Sequence, residues 1–343
     1  MRRAMTLAKG RRTHPNPAVG AVVLAAGGAV VGEGAHDGPG SRHAEVVALQ
    51  QAGAAARGGT LVVTLEPCAH HGLTPPCTDA IISAGIAKVV AAVADPDAKV
   101  SGRGFEALEE AGVALVRGFL ADEAEAIDPG YFYHRRTGLP LMTLKTALTL
   151  DGQVAAADGT SQWITGELAR AEAHGLRSIA GGVLVGAGTV RSDDPQLTVR
   201  LAEFTGTQPR PIIIAGTQPL PPTAAVMDSH PLVYSTQPLE LPAEVVVVPA
   251  GPGGVDVAAV AKDLGQRNFI EVLVEGGPRV AASFLRAKLI SKLIFYYGSR
   301  LASGAGRTAV AGEWDTLTSA IPLRVDAAAL VGGDVRIEAT VVQ

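Results

Sequence analysis

The sequence predicts an α/β protein of two domains: a three-layer domain with a mixed sheet between helices, then a larger domain with a doubly wound sheet. Three observations predict this fold. The chain has 343 residues, enough for two hydrophobic cores. It is 47% hydrophobic with 41 glycines and few aromatic residues, a composition typical of a globular chain and not of a disordered or fibrous one. Strand-like and helix-like segments alternate in both halves.

The first half opens with a predicted β-hairpin. Two apolar runs, residues 21–24 and 29–32, flank the turn sequence Ala-Ala-Gly-Gly. A helix capped by Ser41 follows, then the buried strand TLVVTLE and a helix with prolines at its start, TPPCTDAIISAG. Strand KVVAAV, helix GRGFEALEEAG and strand VALV complete the order β-β-α-β-α-β-α-β. This order favours a mixed sheet between helices.

The pattern weakens between residues 117 and 140. A short acidic helix is predicted there, followed by DPGYFYHRRTGLP, which combines turn-forming residues with aromatic residues expected to be exposed. We therefore predict a first domain at 1–120, a linker at 121–139 and a second domain at 140–343. The predicted strands of the second domain are LMTLKTAL, GVLVGAG, RPIIIAG, PLVYS, AEVVVVP, EVLVEGG, KLIFYYG and VRIEATVV. Helices between several of them predict a mainly parallel, doubly wound sheet.

Charge and hydropathy argue against two classes of partner. The net charge is −4 and aromatic residues are few, so the basic stripe and stacking surface of a nucleic-acid binder are missing. The N-terminal MRRAMTLAKG lacks the apolar segment of a signal peptide, and the longest apolar stretch is interrupted by glycines and too short to span a membrane. We expect a cytoplasmic protein with no nucleic-acid or membrane partner, in which a disulfide is disfavoured.

Both cysteines of the chain lie in TLEPCAHHGLTPPC, shortly after the histidine of HAEVVAL. A disulfide, a structural zinc site and a catalytic zinc site all remain possible. His43, Cys68 and Cys77 supply three zinc ligands near two helix N-termini and a strand end, which leaves a fourth position for water. A structural site would need a fourth protein ligand, for which His70 and His71 are the candidates.

Glu45 favours the catalytic alternative. The pattern His-x-Glu followed later by Pro-Cys is the signature of zinc deaminases, in which the glutamate moves protons and does not bind the metal. The simpler interpretation of Glu45 is a solvated carboxylate on a helix surface.

Two glycine turns in the second half suggest a phosphate-binding site. Gly186 and Gly188 in VGAG form only part of a dinucleotide fingerprint, so a tight turn is the better explanation of this fragment taken alone. In VEGGPRVAASFL a strand ends at Glu275, and two glycines precede the helix that starts at Pro278. That arrangement is typical of a phosphate cradle, although a plain strand-to-helix turn has the same pattern.

Motifs in both halves together resemble one family. They are THPNPAVGAVV, HAEVVAL, TLEPCAHHGLTPPC, KTALTLDG, SQWIT and VGAGTVRSDDPQLTVR. They resemble the bifunctional deaminase-reductase of riboflavin biosynthesis along almost the whole chain. Eight residues separate the two cysteines, as in that family, whereas nucleoside-editing deaminases have two. The resemblance implies a cytidine-deaminase-like first domain and a dihydrofolate-reductase-like second domain.

The resemblance also implies two reactions. The first is deamination of 2,5-diamino-6-ribosylamino-4(3H)-pyrimidinone 5′-phosphate, with one Zn²⁺ per chain on His43, Cys68 and Cys77, Glu45 as proton carrier and Asn16 on the pyrimidine. The second is NADPH-dependent reduction of the ribosyl group to ribityl, giving 5-amino-6-ribitylamino-uracil 5′-phosphate. A homo-oligomer formed through the reductase domain is implied as well.

The resemblance assigns the reductase site residue by residue. The implied cofactor positions are Ala147, Trp163, Thr189, Asp193, Gly277, Pro278, Arg279, Val280, Ala281, Ala282 and Ser283. The implied substrate positions are Lys145, Ser161, Arg177, Leu197, Arg200 and Glu275, and both arginines suit a phosphate group chemically. Asp151 would support a turn. Ala215-Gly216 replace an acidic residue and a serine, which removes a polar contact near the expected adenosine ribose.

Two other classes of function remain to be compared with this one. A nucleic-acid or nucleoside zinc deaminase with a C-terminal binding module would share His43 and Glu45, but the negative charge and the long cysteine spacing oppose it. A zinc-stabilised interaction protein without activity would need four protein ligands.

Overall fold

The computed structural model describes residues 1–72, 74–97, 100–216, 219–303, 306–312 and 315–342. The chain forms two compact units, Met1–Gly138 and Leu139–Gln343. Among the described residues, no helix combines the length and the apolar character needed to cross a bilayer.

The first unit is a five-stranded sheet with helices. Its strands are β1 (Gly20–Leu24), β2 (Val30–Ala35), β3 (Thr60–Leu65), β4 (Lys88–Val93) and β5 (Ala114–Arg117). Its helices are α1 (Arg2–Ala8), α2 (Ala44–Ala52), α3 (Cys77–Ser83), α4 (Arg103–Glu110), α5 (Ala121–Glu125) and α6 (Pro129–Thr137). The strand order is β2-β1-β3-β4-β5, antiparallel on both sides of β1 and parallel from β3 to β5. This topology confirms the predicted mixed sheet.

Glycines in strand β2 let helix α2 lie directly on the sheet. A Cβ atom on Gly34 would lie 2.2 Å from the carbonyl oxygen of Ala44, and one on Gly32 would lie 2.1 Å from that of Ala48. No side chain larger than hydrogen fits these places. The first turn of α2 is therefore held against the hairpin, which fixes the position of the residues just before it.

The two helix starts in this unit differ in detail from the prediction. Ser41 does not cap α2, because its hydroxyl donates to the carbonyl of Gly38, and His43 is the N-cap residue instead. Helix α3 begins at Cys77, so the prolines precede the helix and Pro76 is its N-cap. Both differences place a predicted metal ligand at or beside the N-terminus of a helix.

The segment 121–139, which we expected to be a linker with one short acidic helix, contains that helix as α5. It also contains helix α6, and it lies in the first unit up to Gly138. The carboxylate of Asp128 caps α6 by accepting from the backbone N–H of Tyr131, and Pro129 occupies the first helical turn. The aromatic residues Tyr131 and Phe132 are buried, 2% and 5% exposed. Helix capping and aromatic burial account for the difference from the expected loop.

The second unit contains a nine-stranded sheet. Its larger strands are β6 (Leu141–Thr149), β8 (Gly182–Gly186), β9 (Arg210–Ile214), β10 (Leu232–Ser235), β11 (Glu244–Val247), β14 (Glu271–Val274), β15 (Ile290–Gly298), β17 (Leu323–Val331) and β18 (Asp334–Val341). Short strands β7 (Gln153–Ala155), β12 (Ala250–Gly251), β13 (Gly254–Val255) and β16 (Arg307–Thr308) form two small ribbons. Its helices are α7 (Glu167–Ile179), α8 (Ala187–Asp193), α9 (Val257–Gln266) and α10 (Pro278–Arg286).

The nine strands are arranged in the order β11-β10-β9-β8-β14-β6-β15-β18-β17. All neighbours from β11 to β15 are parallel, whereas β15, β18 and β17 pair antiparallel. Strand β10 shows that both faces are covered: Leu232 and Tyr234 belong to one buried cluster with α9 and α10, and Val233 belongs to a second cluster. The prediction of a mainly parallel, doubly wound sheet is confirmed.

Candidate functional site

Three potential metal ligands meet in the first unit. His43 precedes α2, Cys68 follows β3, and Cys77 begins α3. The Nδ1 atom of His43 lies 3.1 Å from the Sγ of Cys77 and 3.5 Å from the Sγ of Cys68. All three ligand atoms lie within 4.8 Å of one another. One imidazole and two thiols are a ligand set that zinc prefers, and the spacing suits a single ion.

The electrostatics of the cluster favour a thiolate. Hydrogen bonding with Cys77, and then with His43, lowers the pKa of the Cys68 thiol to about 4 against the opposing effect of burial. The same bond to Cys68, together with burial, raises the pKa of Cys77. The two sulfurs therefore share one proton, which a bound cation would displace, so the donor set fits zinc.

Glu45 lies in the first turn of α2 and is buried, with 4% of its surface exposed. Burial, and next the charge of Cys68, raise the pKa of its carboxyl group. The carboxyl group also forms a side-chain hydrogen bond with Cys77. A buried carboxyl group with a raised pKa, beside a metal-binding cluster, has the properties required for proton transfer. The structure thus excludes the solvated surface carboxylate considered above.

The loop between the cysteines contributes a residue that sequence reasoning missed. The Oγ1 atom of Thr74 lies 3.3 Å from the Nε2 of His43, on the ring edge opposite the two sulfurs. Metal-binding histidines usually donate their second ring N–H to such a partner, which fixes the orientation of the ring. His70 and His71 are exposed and do not belong to the ligand cluster. Leu73 of this loop lies outside the described residues.

Glu66 is a second residue that we missed, and it anchors the loop just before Pro67 and Cys68. Its carboxylate is 3% exposed and accepts backbone N–H groups from Asp95 at 3.2 Å, Gly102 at 3.1 Å and Gly104 at 3.0 Å. An acidic residue at the end of an apolar strand is unusual enough to have drawn attention to this position.

Asn16 lies in a loop, and His36 sets the orientation of its side-chain amide. The Nδ2 of Asn16 is 3.0 Å from the Nε2 of His36, and the Nδ1 of His36 is 3.2 Å from the carbonyl oxygen of Arg42. Because a carbonyl only accepts, Nδ1 carries the proton and Nε2 accepts from the Asn16 amide. Burial lowers the pKa of His36 and favours this neutral form. The rings of His36 and His43 also meet edge to face at 5.2 Å, so Asn16 lies close to the metal cluster.

The second unit contains a cleft of about 1070 Å³ at the carboxyl ends of its parallel strands. This is where ligands bind in open α/β sheets. The implied cofactor positions that line the cleft are Ala147, Trp163, Thr189, Asp193, Gly277, Pro278, Arg279, Val280 and Ser283. The implied substrate positions that line it are Lys145, Ser161, Arg177 and Glu275.

Four of the implied positions do not form the wall of the cleft. Leu197, Ala281 and Ala282 are buried, 2%, 0% and 3% exposed. Arg200 is exposed. It lies in the same region as Arg177, because burial and then the charges of both arginines lower the pKa of His174.

Glu275 anchors an ion-pair network at the floor of the cleft. Its two carboxylate oxygens accept from the Nε of Arg177 at 2.7 Å and from a terminal nitrogen of Arg177 at 3.0 Å, and the Nζ of Lys145 lies 3.8 Å away. Burial raises the pKa of Glu275, but the charges of Lys145 and Arg177 outweigh burial and hold it at about 2. Arg177 also donates to the carbonyl of Thr198. Arg177 thus binds protein groups through three of its N–H groups, and its contact with a phosphate group stays a prediction.

The glycine turn before α10 leaves room for a ligand. Among the described residues other than its chain neighbours, a Cβ atom on Gly277 would have only the Oγ1 of Thr189 within 4 Å, at 3.8 Å. A Cβ atom on Gly276 would lie 2.6 Å from a methyl group of Val280. Gly277 therefore faces open space at the N-terminus of a nine-residue helix. Open space beside helical N–H groups fits the phosphate groups of a dinucleotide.

Two further positions were expected from the motifs. Asp151 supports a turn, because its carboxylate accepts from the N–H groups of Ala302 and Ser303 and from the hydroxyl of Thr149. Ala215 and Gly216 line the cleft and contribute no polar side chain to it.

Comparison with known proteins finds a match for each of the two units. Residues 140–327 match the family model of the RibD C-terminal domain, and residues 1–93 match the cytidine and deoxycytidylate deaminase zinc-binding region. The riboflavin biosynthesis protein RibD of Escherichia coli is 38% identical over 326 residues, covering 90% of this chain and 89% of the relative. RibD of Aquifex aeolicus is 41% identical over 313 residues, covering 88% and 86%.

Solved structures extend the similarity to the fold of the whole chain. A structure of RibD from Acinetobacter baumannii matches with a TM-score of 0.92 at 33% identity, covering 99% of this chain and 97% of the other. A diaminohydroxyphosphoribosylaminopyrimidine deaminase/5-amino-6-(5-phosphoribosylamino)uracil reductase from Thermotoga maritima matches with a TM-score of 0.87 at 33% identity, covering 100% and 97%.

Proposed function

This chain belongs to the RibD family of bifunctional deaminase-reductases of riboflavin biosynthesis, and from this premise we propose which of its residues perform each reaction. The proposed substrate of the first unit is the diaminopyrimidinone ribosyl phosphate that the name of the Thermotoga relative describes. The proposed second step reduces the ribosyl group of the deaminated product to ribityl in the cleft of the second unit. The observation that carries the deaminase assignment is the buried carboxyl group of Glu45 beside three convergent metal ligands.

In the deaminase unit, His43, Cys68 and Cys77 would hold a zinc ion. Such an ion would supply a water molecule that is nucleophilic at neutral pH. Glu45 would carry a proton from the attacking water to the departing amino group, so that water and the amino compound give the carbonyl product and ammonia. The raised pKa of Glu45 suits both directions of transfer. Asn16 holds the pyrimidine through the part of its amide that His36 leaves available.

In the reductase unit, the glycine turn at Gly277 and helix α10 would hold the phosphate groups of NADPH, which would supply the hydride for the sugar. Lys145 lies at the floor of the cleft, 3.8 Å from Glu275, and positions the ribose there. Glu275 keeps Arg177 and Lys145 in place. Because Arg177 is engaged by Glu275, we assign the 5′-phosphate to the exposed guanidinium of Arg200.

We further propose that the protein is a homo-oligomer associated through its reductase unit. Strand β17 is at the edge of the nine-stranded sheet, and eight of its nine residues are exposed. Leu323, Val325 and Leu330 are 44%, 64% and 80% exposed. A long apolar edge strand is unfavourable in water unless another strand or subunit covers it.

A cytoplasmic location agrees with two cysteines that are not paired in a disulfide. No nucleic-acid partner is expected.

A coupled assay tests the proposed function. Purified protein is given the diaminopyrimidinone ribosyl phosphate, and ammonia release is measured before and after NADPH or NADH is added. We expect one ammonia per substrate, followed by consumption of one NADPH per deaminated product. Ammonia release without nicotinamide oxidation would contradict the reductase assignment, and the absence of ammonia would contradict the deaminase assignment.

A further inference from the structure

Helix α6 touches the loop that carries Asn16, although it is distant from that loop in the sequence. The loop comprises residues 14–18, and α6 comprises Pro129–Thr137. We propose that Asp128, the N-cap residue of α6, is a positioning residue of the deaminase site that holds Asn16 in its substrate-binding place. The inference rests on the proposed role of Asn16.

A single carboxylate holds both ends of the loop. Oδ1 of Asp128 accepts from the Nε2 of His14 at 2.8 Å, and Oδ2 accepts from the backbone N–H of Ala18 at 2.9 Å. His14 precedes Asn16 by two residues and Ala18 follows it by two. Asp128 is only 6% exposed, so these hydrogen bonds are shielded from water. The loop ends are therefore fixed relative to α6.

The same helix also contacts the middle of the loop. A terminal nitrogen of Arg135, near the end of α6, donates to the carbonyl oxygen of Pro15 at 3.1 Å. The guanidinium group of Arg135 lies 5.1 Å from the ring centre of Tyr131, which is buried one turn earlier in the helix. Asn16 is thus held from two directions, with α6 fixing its backbone and His36 fixing its amide.

Asp128 is itself held in a defined state. It accepts from the backbone N–H of Tyr131 at 3.2 Å, which ties it to the first turn of α6. Burial raises its pKa, but the interactions with His14 and with the two backbone N–H groups outweigh burial and lower it. An ionised carboxylate is an acceptor only, so the Nε2 of His14 must donate. The geometry requires a donor at position 14 and a carboxylate at position 128.

This requirement gives a matched set of variants. His14→Ala removes the donor, His14→Gln keeps an N–H donor on a side chain of similar reach, and Asp128→Asn replaces one acceptor oxygen. Glu125→Gln is the control, because Glu125 precedes the same helix and pairs with Arg136 without touching the loop. His14 has 26% of its side chain exposed, so its replacement leaves the hydrophobic core intact.

The experiment measures kcat and KM for ammonia release, zinc content, and NADPH consumption on the deaminated intermediate, all with the full chain. We expect His14→Ala and Asp128→Asn to raise KM for ammonia release about tenfold, with kcat nearly unchanged. A tenfold change corresponds to the loss of about one hydrogen bond between the substrate and a displaced Asn16. Zinc content and NADPH consumption should stay at the wild-type level, and His14→Gln should recover most of the affinity.

Three outcomes would overturn the inference. They are an unchanged KM in His14→Ala, an equal rise of KM in Glu125→Gln, and a loss of zinc in proportion to activity, which would indicate general damage to the unit. Failure of the proposed function itself is distinguishable, because the wild-type protein would then release no ammonia.

Discussion

The imidazole of His43 is held between two sulfurs and a hydroxyl group. Its Nδ1 faces Cys77 at 3.1 Å, and its Nε2 lies 3.3 Å from the hydroxyl of Thr74. Thr74 comes from the long loop between the two cysteines. The eight-residue spacing of the cysteines therefore supplies a partner for the metal ligand as well as the ligands themselves.

Replacing Thr74 by valine should weaken zinc binding. The substitution keeps the shape of the side chain but removes the acceptor that orients the His43 ring. Losing such a partner usually costs about tenfold to a hundredfold in metal affinity. Competition with a chromogenic chelator measures this, with Thr74→Ser as the control that keeps the hydroxyl. Equal affinities for the valine and serine variants would contradict the role of the hydroxyl.

Replacing Arg177 by methionine should destabilise the second unit strongly. Among the described residues, Lys145, 3.8 Å away, would be the remaining ion-pair partner of the buried Glu275 carboxylate. Removing one partner of a buried ion pair costs about 3 kcal/mol or more in the free energy of unfolding. Urea denaturation measures the change. Arg324→Met is the control, since Arg324 is exposed and pairs with Asp326 on the surface, where a pair contributes about 1 kcal/mol at most. Equal losses in the two variants would refute this expectation.

The raised pKa of Asp95 predicts that the stability of the first unit depends on pH. Burial raises the pKa of its carboxyl group to about 6, compared with about 3.9 in an unfolded chain. The folded state therefore binds this proton more tightly than the unfolded chain does, and protonation of Asp95 stabilises the folded state. Its contribution is fully present below about pH 4, is lost as the pH rises through about 6, and amounts to about 2 to 3 kcal/mol.

Asp95→Asn tests this dependence, because the amide oxygen still accepts from the hydroxyl of Tyr131 and does not titrate. The free energy of unfolding of the wild type should fall relative to that of the variant between pH 4 and pH 7. Denaturant titrations at several pH values in this range make the comparison. Parallel curves for the two proteins would show that Asp95 is not responsible.

Replacing Gly277 by alanine should weaken cofactor binding without unfolding the protein. The new methyl group would meet only the hydroxyl of Thr189 at 3.8 Å, and would occupy space in the cleft. We expect the KM for NADPH to rise at least about tenfold, since the phosphate groups lose their close approach to the backbone. Gly175→Ala in α7, where nothing lies within 4 Å, is the control. A normal KM in Gly277→Ala would place the cofactor elsewhere.

The sequence predicted elements whose apolar residues are buried, and it failed where burial does not follow the local sequence pattern. The predicted strand KVVAAV coincides with β4, because its apolar residues are buried. Strand β17 was missed, since eight of its nine residues are exposed and no alternation marks it. Helix α6 was mistaken for a linker, because its aromatic residues are buried by tertiary contacts that no local pattern shows.

The same distinction applies to the candidate site. Motif spacing placed His43, Cys68 and Cys77 in one region, and the structure brings their ligand atoms together. Thr74 and Glu66 were missed, because their partners are a ring nitrogen and backbone N–H groups that only the folded chain brings near. The pairing of Arg177 with Glu275 was missed for the same reason, since the two residues are 98 positions apart.

Ammonia release by a Glu45→Gln variant that retains zinc tests the central claim most directly. Glutamine has the shape of glutamate but cannot accept and return a proton, so ammonia release should fall by at least about a hundredfold. The variant should still contain one zinc ion per chain, and should still oxidise NADPH when it is given the deaminated intermediate. Ammonia release at the wild-type rate, in a variant of equal zinc content, would contradict the assignment of Glu45 and with it the deaminase mechanism.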